Sequence, residues 1–140
     1  MARIKLTLPD VWHYSTSLSV RISDINFAGH LAHDSILSLI HEARAQFFNH
    51  MEFGELDVEG KGIVVADVVI TYANEAFFRD SLQIQIAASE FTKKGCDFYY
   101  RLSNEKTGKE IARAKTGIVF FDYTERKPCE IPQSFLKHFT

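Results

Sequence analysis

The segment between residues 34 and 48 constrains the fold more than any other part of the chain. Its apolar residues recur at intervals of three and four, the spacing that places side chains on one face of an α-helix. These residues are Ile36, Leu37, Leu39, Ile40, Ala43, Phe47 and Phe48. They cover more of the helix than the stripe of a surface helix does, so we predict a buried helix wrapped by a β-sheet.

The ends and the polar side of this helix can be predicted as well. Asp34 precedes the first apolar residue, and its carboxylate can accept a hydrogen bond from a first-turn N–H, so we predict that Asp34 is the N-cap. The helix should end between residues 49 and 53, before Gly54. Its polar side runs through Asp34, Ser38, His41 and Glu42.

Alternating apolar and polar residues on both sides of the helix indicate β-strands. Before the helix, Leu18, Val20 and Ile22 alternate with polar residues, which predicts a strand with one buried face. After the helix we predict four strands, over residues 63–72, 82–86, 96–103 and 110–121, and a short terminal helix within residues 131–139. This order predicts an α+β fold, with residues 1–140 forming a single domain.

The first strand after the helix, residues 63–72, is apolar on both faces, and Asp67 is its only charge. Such a strand is central in its sheet or lies at a subunit interface. One helix on one sheet leaves a strand edge to be covered, so we predict that the chain forms a homo-oligomer. Asp67 is then either a hydrogen-bonding group of the interface or a carboxylate with a perturbed pKa.

Charge and cysteine content exclude several classes of protein. The net charge of -2 argues against nonspecific nucleic-acid binding, although a local basic patch for a phosphate-bearing ligand remains compatible with it. Cys96 and Cys129 are too few for a disulfide scaffold, and we expect both to be reduced. The chain has no signal-peptide pattern and no apolar run of the ~20 residues that a membrane span requires. We therefore expect a soluble, cytoplasmic protein.

The loop before the helix holds the densest group of chemically capable side chains. They are Asp24, Asn26, His30, His33 and Asp34. Gly29 lies among them, where the loop needs either a positive φ or a close approach of the backbone. Polar groups at the start of a buried helix form a candidate site.

This loop and the helix carry a resemblance to a known family. A strand, then Asp-x-[Asp/Asn]-x-x-Gly-His-[Val/Leu], then a helix with Glu-Ala-Arg, is similar to the hot-dog-fold acyl-CoA thioesterases, and more narrowly to the 4-hydroxybenzoyl-CoA thioesterase group. The matching residues are Asp24, Asn26, Gly29, His30, Leu31, Glu42, Ala43 and Arg44. Segments around residues 64–84 and 111–132 resemble later strands of the same group.

The resemblance implies a five-stranded antiparallel sheet wrapped around one long helix. It implies dimers or tetramers, with acyl-CoA bound at a subunit interface and no cofactor. Hydrolysis would use a carboxylate, as nucleophile or as general base for water. Backbone N–H groups at the helix start would polarise the thioester carbonyl, which agrees with the preference of helix N-termini for negative charge.

The chain departs from the family pattern at residue 26, where many members carry a catalytic Asp and this chain has Asn26. An amide cannot act as a carboxylate base, but it can orient water or donate to an oxyanion. We therefore expect Asp34 to be the base, beyond any capping role. Asn26 and His30 would position water or the carbonyl, since His30 matches a catalytic position in some plant acyl-carrier-protein thioesterases of this fold. We expect three further residues to contact substrate: Gly29, His33 and Glu42.

Several functions stay open at this point. The first is a thioesterase acting on a fatty or aromatic acyl-CoA. The second is a protein of the same fold that binds acyl-CoA or a related thioester without hydrolysing it, which the presence of Asn26 favours. A hydratase or dehydratase is a third, but its different His-centred motif is absent. His30, His33 and Asp34 also permit a metal site, although the segment contains no strong zinc motif.

Overall fold

One long helix packs on one face of an antiparallel sheet in the computed structural model, which describes all 140 residues. The elements are β1 (Tyr14–Ser19), α1 (His33–His50), β2 (Gly62–Tyr72), β3 (Ser81–Ser89), β4 (Gly95–Asn104), β5 (Glu110–Asp122), β6 (Lys127–Pro128) and α2 (Gln133–Leu136). Turns of 3₁₀ helix occur at Ile22–Asp24 and Lys137–Phe139. The α+β class and the hot-dog fold are thus confirmed, and β6 adds a two-residue strand to the five that were predicted.

The sheet brings sequence-distant strands together in the order β1-β3-β4-β5-β2, with β6 paired to β5. A single row of paired residues crosses all five long strands. It runs Tyr14, Ile86, Tyr100, Ala114, Ile70. This row belongs to the inner face, where the alternating apolar residues of β3, β4 and β5 meet α1. Their burial confirms the inward residues that the alternation predicted for these three strands.

The predicted ends of α1 are correct at one terminus and wrong at the other. The helix ends at His50, as expected. At the start, however, the N-cap is Ala32 in extended conformation, and no side chain caps the helix, so Asp34 is not the N-cap. Because the helix begins at His33, Asp34 lies inside its first turn with an exposed side chain. There its charge still interacts favourably with the helix dipole.

Two apolar residues that were expected to be buried are exposed. Ile22 does not continue β1, because the chain turns into a 3₁₀ helix there, and its side chain is 69% exposed. Leu37 lies at the margin of the apolar face and is 43% exposed. The polar side of α1 faces outward as predicted.

No helix of the protein is both long enough and apolar enough to cross a membrane.

β2 is an edge strand, so the prediction that it could be central is wrong. Its inward residues near the middle and end are exposed, because α1 packs over the part of the sheet formed by β1 and β3, at the opposite edge. The exposed fractions are 42% for Val65, 42% for Val68 and 47% for Tyr72. Coverage of this edge by another subunit stays a prediction.

Asp67 is hydrogen-bonded within its own chain. Its Oδ1 accepts bonds from Lys115 Nζ at 2.8 Å and from the N–H of Gly117 at 2.9 Å, beside a bulge in β2. A Cβ at residue 117 would lie 2.5 Å from the same oxygen, so any larger residue there would displace the Asp67 carboxylate from these bonds. Lys115 is the main reason that the pKa of Asp67 is lowered.

A buried polar network joins the middle of α1 to the sheet. Arg44 Nε donates to Glu55 Oε2 at 2.6 Å, and Arg44 Nη1 donates to the Tyr100 hydroxyl at 3.2 Å. The Tyr100 hydroxyl also bonds Thr116 Oγ1 at 2.8 Å, and His41 Nε2 lies 3.1 Å from Glu55 Oε1. Burial disfavours the Arg44 charge, but Tyr100 and Glu55 outweigh it and raise the pKa of the guanidinium. We call these five residues the mid-helix network.

Candidate active site

Asp24 anchors the loop that precedes α1. Its carboxylate accepts three bonds from Arg21: from the N–H at 2.8 Å, from Nε at 3.1 Å and from Nη2 at 3.0 Å. Its carbonyl oxygen accepts from the N–H of Ala32 at 2.8 Å, directly before the helix. Burial pushes the pKa of Asp24 upward, but the bonds from Arg21 outweigh burial and hold that pKa below its usual value. Asp24 therefore holds the loop in place and is not available as a base.

The loop folds back on itself around Asn26. Asn26 Oδ1 accepts bonds from the N–H groups of Ala28 at 3.0 Å and His30 at 3.4 Å, and its own N–H donates to the His30 carbonyl at 3.0 Å. Gly29 has φ +87° with open space around the position of a Cβ, so the loop needs its positive φ. The amide oxygen of Asn26 is thus used by the loop, while Nδ2 makes no bond within the chain.

A second segment, residues 73–76, faces this loop. Its backbone is held on both sides, because the N–H groups of Ala73 and Asn74 donate to the Ile111 carbonyl and the Ala76 carbonyl accepts from the N–H of Leu31 at 2.7 Å. The segment carries Glu75, which is the residue that sequence reasoning missed.

Glu75 places a carboxylate opposite His30. The two atoms His30 Nε2 and Glu75 Oε1 are 4.0 Å apart, and the Glu75 side chain is 64% exposed. This separation is longer than a hydrogen bond, but catalytic contacts are often loose before substrate binds. A small side-chain rotation would bring the imidazole and the carboxylate into contact.

The loop and this segment enclose a cavity of about 310 Å³. Its polar lining comes from Asn26, His30, His33, Asn74 and Glu75, with the Tyr72 side chain at one side. Apolar lining comes from Leu31, Ile36, Ala76 and Ile111. The cavity therefore combines a general-base candidate and polar donors with an apolar wall.

The start of α1 lies at the same cavity through His33. The N–H groups of His33 and Asp34 have no hydrogen-bond acceptor in the chain, whereas that of Ser35 bonds the Ala32 carbonyl. Unsatisfied first-turn N–H groups favour an anion or a developing oxyanion.

The Asp34 side chain is not part of the cavity wall, but it lies near the rim. The Tyr72 hydroxyl donates to the His33 carbonyl at 3.4 Å. Burial is the main reason that the pKa of Tyr72 is raised, and the charge of Asp34 contributes to the same shift. Asp34 is thus a neighbour of Tyr72 at the edge of the cavity.

The structure brings together only some of the residues predicted for the site. Asn26, His30 and His33 share one cavity, and Gly29 shapes its loop. Glu42 lies elsewhere, on the polar side of α1, where it accepts a bond from Gln46 at 2.8 Å and borders a different cleft. No group of three His, Cys, Asp or Glu side chains is placed to hold a metal ion.

Comparison with known proteins places this chain in a family. A family model described as the thioesterase-like superfamily matches residues 20–139. The fold is similar to that of a 1,4-dihydroxy-2-naphthoyl-CoA thioesterase from Synechocystis, with a TM-score of 0.82, 19% identity, and coverage of 89% of this chain and 93% of that one. It is also similar to a DHNA-CoA thioesterase from Staphylococcus aureus, with a TM-score of 0.80, 17% identity, and coverage of 89% and 87%.

A third similar structure is a Staphylococcus aureus protein solved in complex with CoA. Its TM-score is 0.80 at 12% identity, with coverage of 96% of this chain and 85% of that one. At these identities the structures support the fold, and the family model identifies the relationship. The chain belongs to the thioesterase-like superfamily.

Proposed function

We propose that the protein is an acyl-CoA thioesterase whose base is Glu75. The observation that carries this proposal is the cavity in which Glu75, His30 and Asn26 meet beside the start of α1. The similar proteins include thioesterases that act on CoA esters and one solved with CoA, which supports the same substrate class for this chain. Such a substrate and two unpaired cysteines support a cytoplasmic location.

In the proposed reaction, Glu75 takes a proton from water as the water oxygen attacks the thioester carbonyl carbon. Negative charge then develops on the carbonyl oxygen, which the unsatisfied N–H groups of His33 and Asp34 stabilise. Asn26 Nδ2 orients the water or the carbonyl, and His30 interacts with the Glu75 carboxylate. The carbon–sulfur bond then breaks, the departing thiolate receives the proton that Glu75 took from water, and the products are a free acid and CoA.

Asp34, the base expected from the sequence, remains the competing assignment. It does not line the cavity, and its charge acts instead on Tyr72 at the rim. A positioned general base contributes about 10²–10⁴ to the rate, so removing the correct one has a large effect. The two assignments therefore predict opposite results for two matched variants.

The test measures thiol release from short, medium, long and aromatic acyl-CoAs with Glu75→Gln and Asp34→Asn. Glu125→Gln is the control, because its side chain is 61% exposed, close to the 64% of Glu75, and lies in a distant turn. We expect Glu75→Gln to lower kcat about 100-fold or more, while Asp34→Asn stays within about fivefold of the wild type. The reverse pattern would establish Asp34 as the base.

Binding without hydrolysis is the second candidate, and the bonding of Asn26 favours it. The Asn26 amide oxygen is occupied by two backbone N–H groups, so the loop itself offers no base. CoA-ester binding in calorimetry together with no thiol release from any substrate would select this function.

We also propose that the protein acts as a homodimer, or as a tetramer formed by two such dimers, and that the subunits meet along β2. Val65, Val68 and Tyr72 form an exposed apolar row on that strand, and Tyr72 also lines the cavity. A partner covering this row would close one side of the cavity, so the site would lie at the interface. Val68→Asp should produce monomers in sedimentation and a loss of thiol release.

A further inference from the structure

The N-terminal segment, residues 1–9, is attached at Leu6 beside the end of β2 and the start of β5. Arg113 Nη1 donates to the carbonyl oxygen of Leu6 at 2.9 Å, and Arg113 Nε donates to Glu110 Oε2 at 2.9 Å. Glu110 orients the guanidinium, and the bond from Arg113 to Leu6 joins the segment to the sheet. Leu6 is half-buried at this contact.

A cleft of about 410 Å³ is formed between this segment and the two strands. Its charged lining residues are Arg3, Lys5, Arg113 and Glu110. Three cations face one carboxylate, so the cleft is locally basic although the whole chain carries a net charge of -2. The cleft is therefore a local basic patch of the kind that the sequence analysis found compatible with the negative net charge.

The positive charge of this cleft is not neutralised by the protein. Glu110 already binds Arg113 and, at 3.0 Å through Oε1, Arg101. Arg3 and Lys5 have no carboxylate within ion-pair distance, and unlike the unpaired lysines elsewhere on the surface they lie together with Arg113 in one cleft. Two cations without partners in one concave site are available to an anionic ligand.

The basic cleft adjoins the cavity of the candidate active site. Tyr72 lines both of them. They are also linked by the Asn74 side chain, which lines the cavity and donates from Nδ2 to the Glu110 carbonyl at 2.8 Å. A ligand with its reacting group near Glu75 could therefore extend past Tyr72 into the basic cleft.

We propose that this cleft binds the phosphates of the CoA portion of the substrate, with Arg3 and Lys5 as the phosphate-binding residues. The inference rests on the proposed function and adds to it the part of the chain that recognises CoA. A CoA ester carries its phosphates at the far end of the pantetheine arm from the thioester, which matches two adjoining sites of different chemistry. Arg113 positions the segment and contributes charge.

The test compares two thioesters of the same acyl group, one on CoA and one on N-acetylcysteamine, which has no phosphate. The variant is Arg3→Gln with Lys5→Gln. The control is Lys106→Gln with Lys137→Gln, which removes the same charge from two exposed lysines that have no ion-pair partner. We expect the Arg3/Lys5 variant to raise KM for the CoA ester about tenfold or more with kcat unchanged, since charge-assisted bonds to phosphate are lost. KM for the N-acetylcysteamine ester should stay the same.

Two results would overturn the inference: no change in KM for the CoA ester, or an equal change for both esters. Calorimetric titration with CoA itself separates this inference from the proposed function. If the wild type hydrolyses neither ester, the thioesterase proposal fails, and CoA binding then decides the cleft independently. Weaker CoA binding by the variant than by the control supports the cleft, and equal binding overturns it.

Discussion

Two groups of polar side chains meet α1, and they differ in how completely they are bonded. In the mid-helix network, Arg44, Glu55 and Tyr100 are joined by contacts of 2.6 to 3.2 Å, and Arg44 and Tyr100 are buried. At the start of the helix, His30 and Glu75 are 4.0 Å apart and the Glu75 side chain is mostly exposed. The first group has little hydrogen-bonding capacity left, while the second has donors and acceptors available to a ligand.

This difference separates stability from function along one helix. A buried charge whose partners are satisfied stabilises the arrangement around it, and it is costly to break. Half-exposed groups that lack partners contribute little to stability, but they can bind and react with a substrate. Residue type alone does not distinguish them, since both groups contain Glu and His.

Removing Arg44 should have the largest effect on stability. Arg44→Ala leaves Glu55 without its main partner and the Tyr100 hydroxyl without one of its two, so we expect a loss of about 3–5 kcal/mol in the free energy of unfolding. Urea denaturation measures this loss. A decrease below about 1 kcal/mol would show that the mid-helix network is not the stabilising element that its geometry indicates.

Replacing His30 should affect catalysis and leave stability nearly unchanged. His30→Gln removes the imidazole beside Glu75, and we expect kcat to fall about 10- to 100-fold with a similar unfolding midpoint. His41→Gln is the matched control, because His41 contacts Glu55 in the other group and should retain kcat. Equal losses of activity in the two variants would remove the distinction between the groups.

Asp24 lies in the loop of the site but is bonded like the mid-helix network. Asp24→Asn should lower the free energy of unfolding by about 1.5–3 kcal/mol at neutral pH, because charge-assisted bonds from Arg21 are lost. The pKa of Asp24 is lowered in the folded protein, so this stabilisation is present above the ordinary carboxyl pKa. It is lost as the pH falls through the lowered folded value.

Denaturation of the wild type and Asp24→Asn across this acidic range measures the pH dependence. The two stabilities should converge as the pH falls. A constant difference would mean that the carboxylate charge is not the source of the stabilisation.

The smallest effect is expected for Asn26→Asp. Either carboxylate oxygen can accept the bonds that the amide oxygen receives from the N–H groups of Ala28 and His30, so the loop should keep its shape. The Nδ2 donor that orients the water or the carbonyl is lost, but Glu75 still supplies the base, so we expect kcat to change less than about tenfold. A 100-fold gain, measured by thiol release, would instead show that the wild-type site lacks an effective base.

The fold could be predicted from the sequence because its signals are local. Alternation identified the inward residues of β3, β4 and β5, and helical spacing identified α1. The prediction failed where the outcome depends on where the chain turns or on which strand is outermost. Asp34 has a side chain typical of an N-cap, but the helix begins at His33, so Ala32 occupies the N-cap position. The apolar pattern of β2 is the same for a central strand and for an edge strand that is covered by a partner.

Only the loop before α1, one of the two segments that form the candidate site, could be predicted from the sequence. Asn26, Gly29, His30 and His33 are close in sequence, so one polar loop revealed them together. Glu75 follows β2, more than forty residues later, and it reaches His30 only because β2 lies beside β5 and its end meets the loop. A lone carboxylate after a strand carries no signal of its role, whereas its tertiary neighbours do.

The most direct test of this account compares Glu75→Ala with Glu55→Ala, one glutamate from each group. For each variant, thiol release and the free energy of unfolding are measured on the same preparation. We predict that Glu75→Ala lowers kcat about 100-fold or more while the free energy of unfolding changes by less than about 0.5 kcal/mol. Glu55→Ala should lose about 3 kcal/mol of stability and keep kcat within a few-fold in the folded fraction. Retained kcat in Glu75→Ala, or a comparable loss of stability in both variants, would contradict the account.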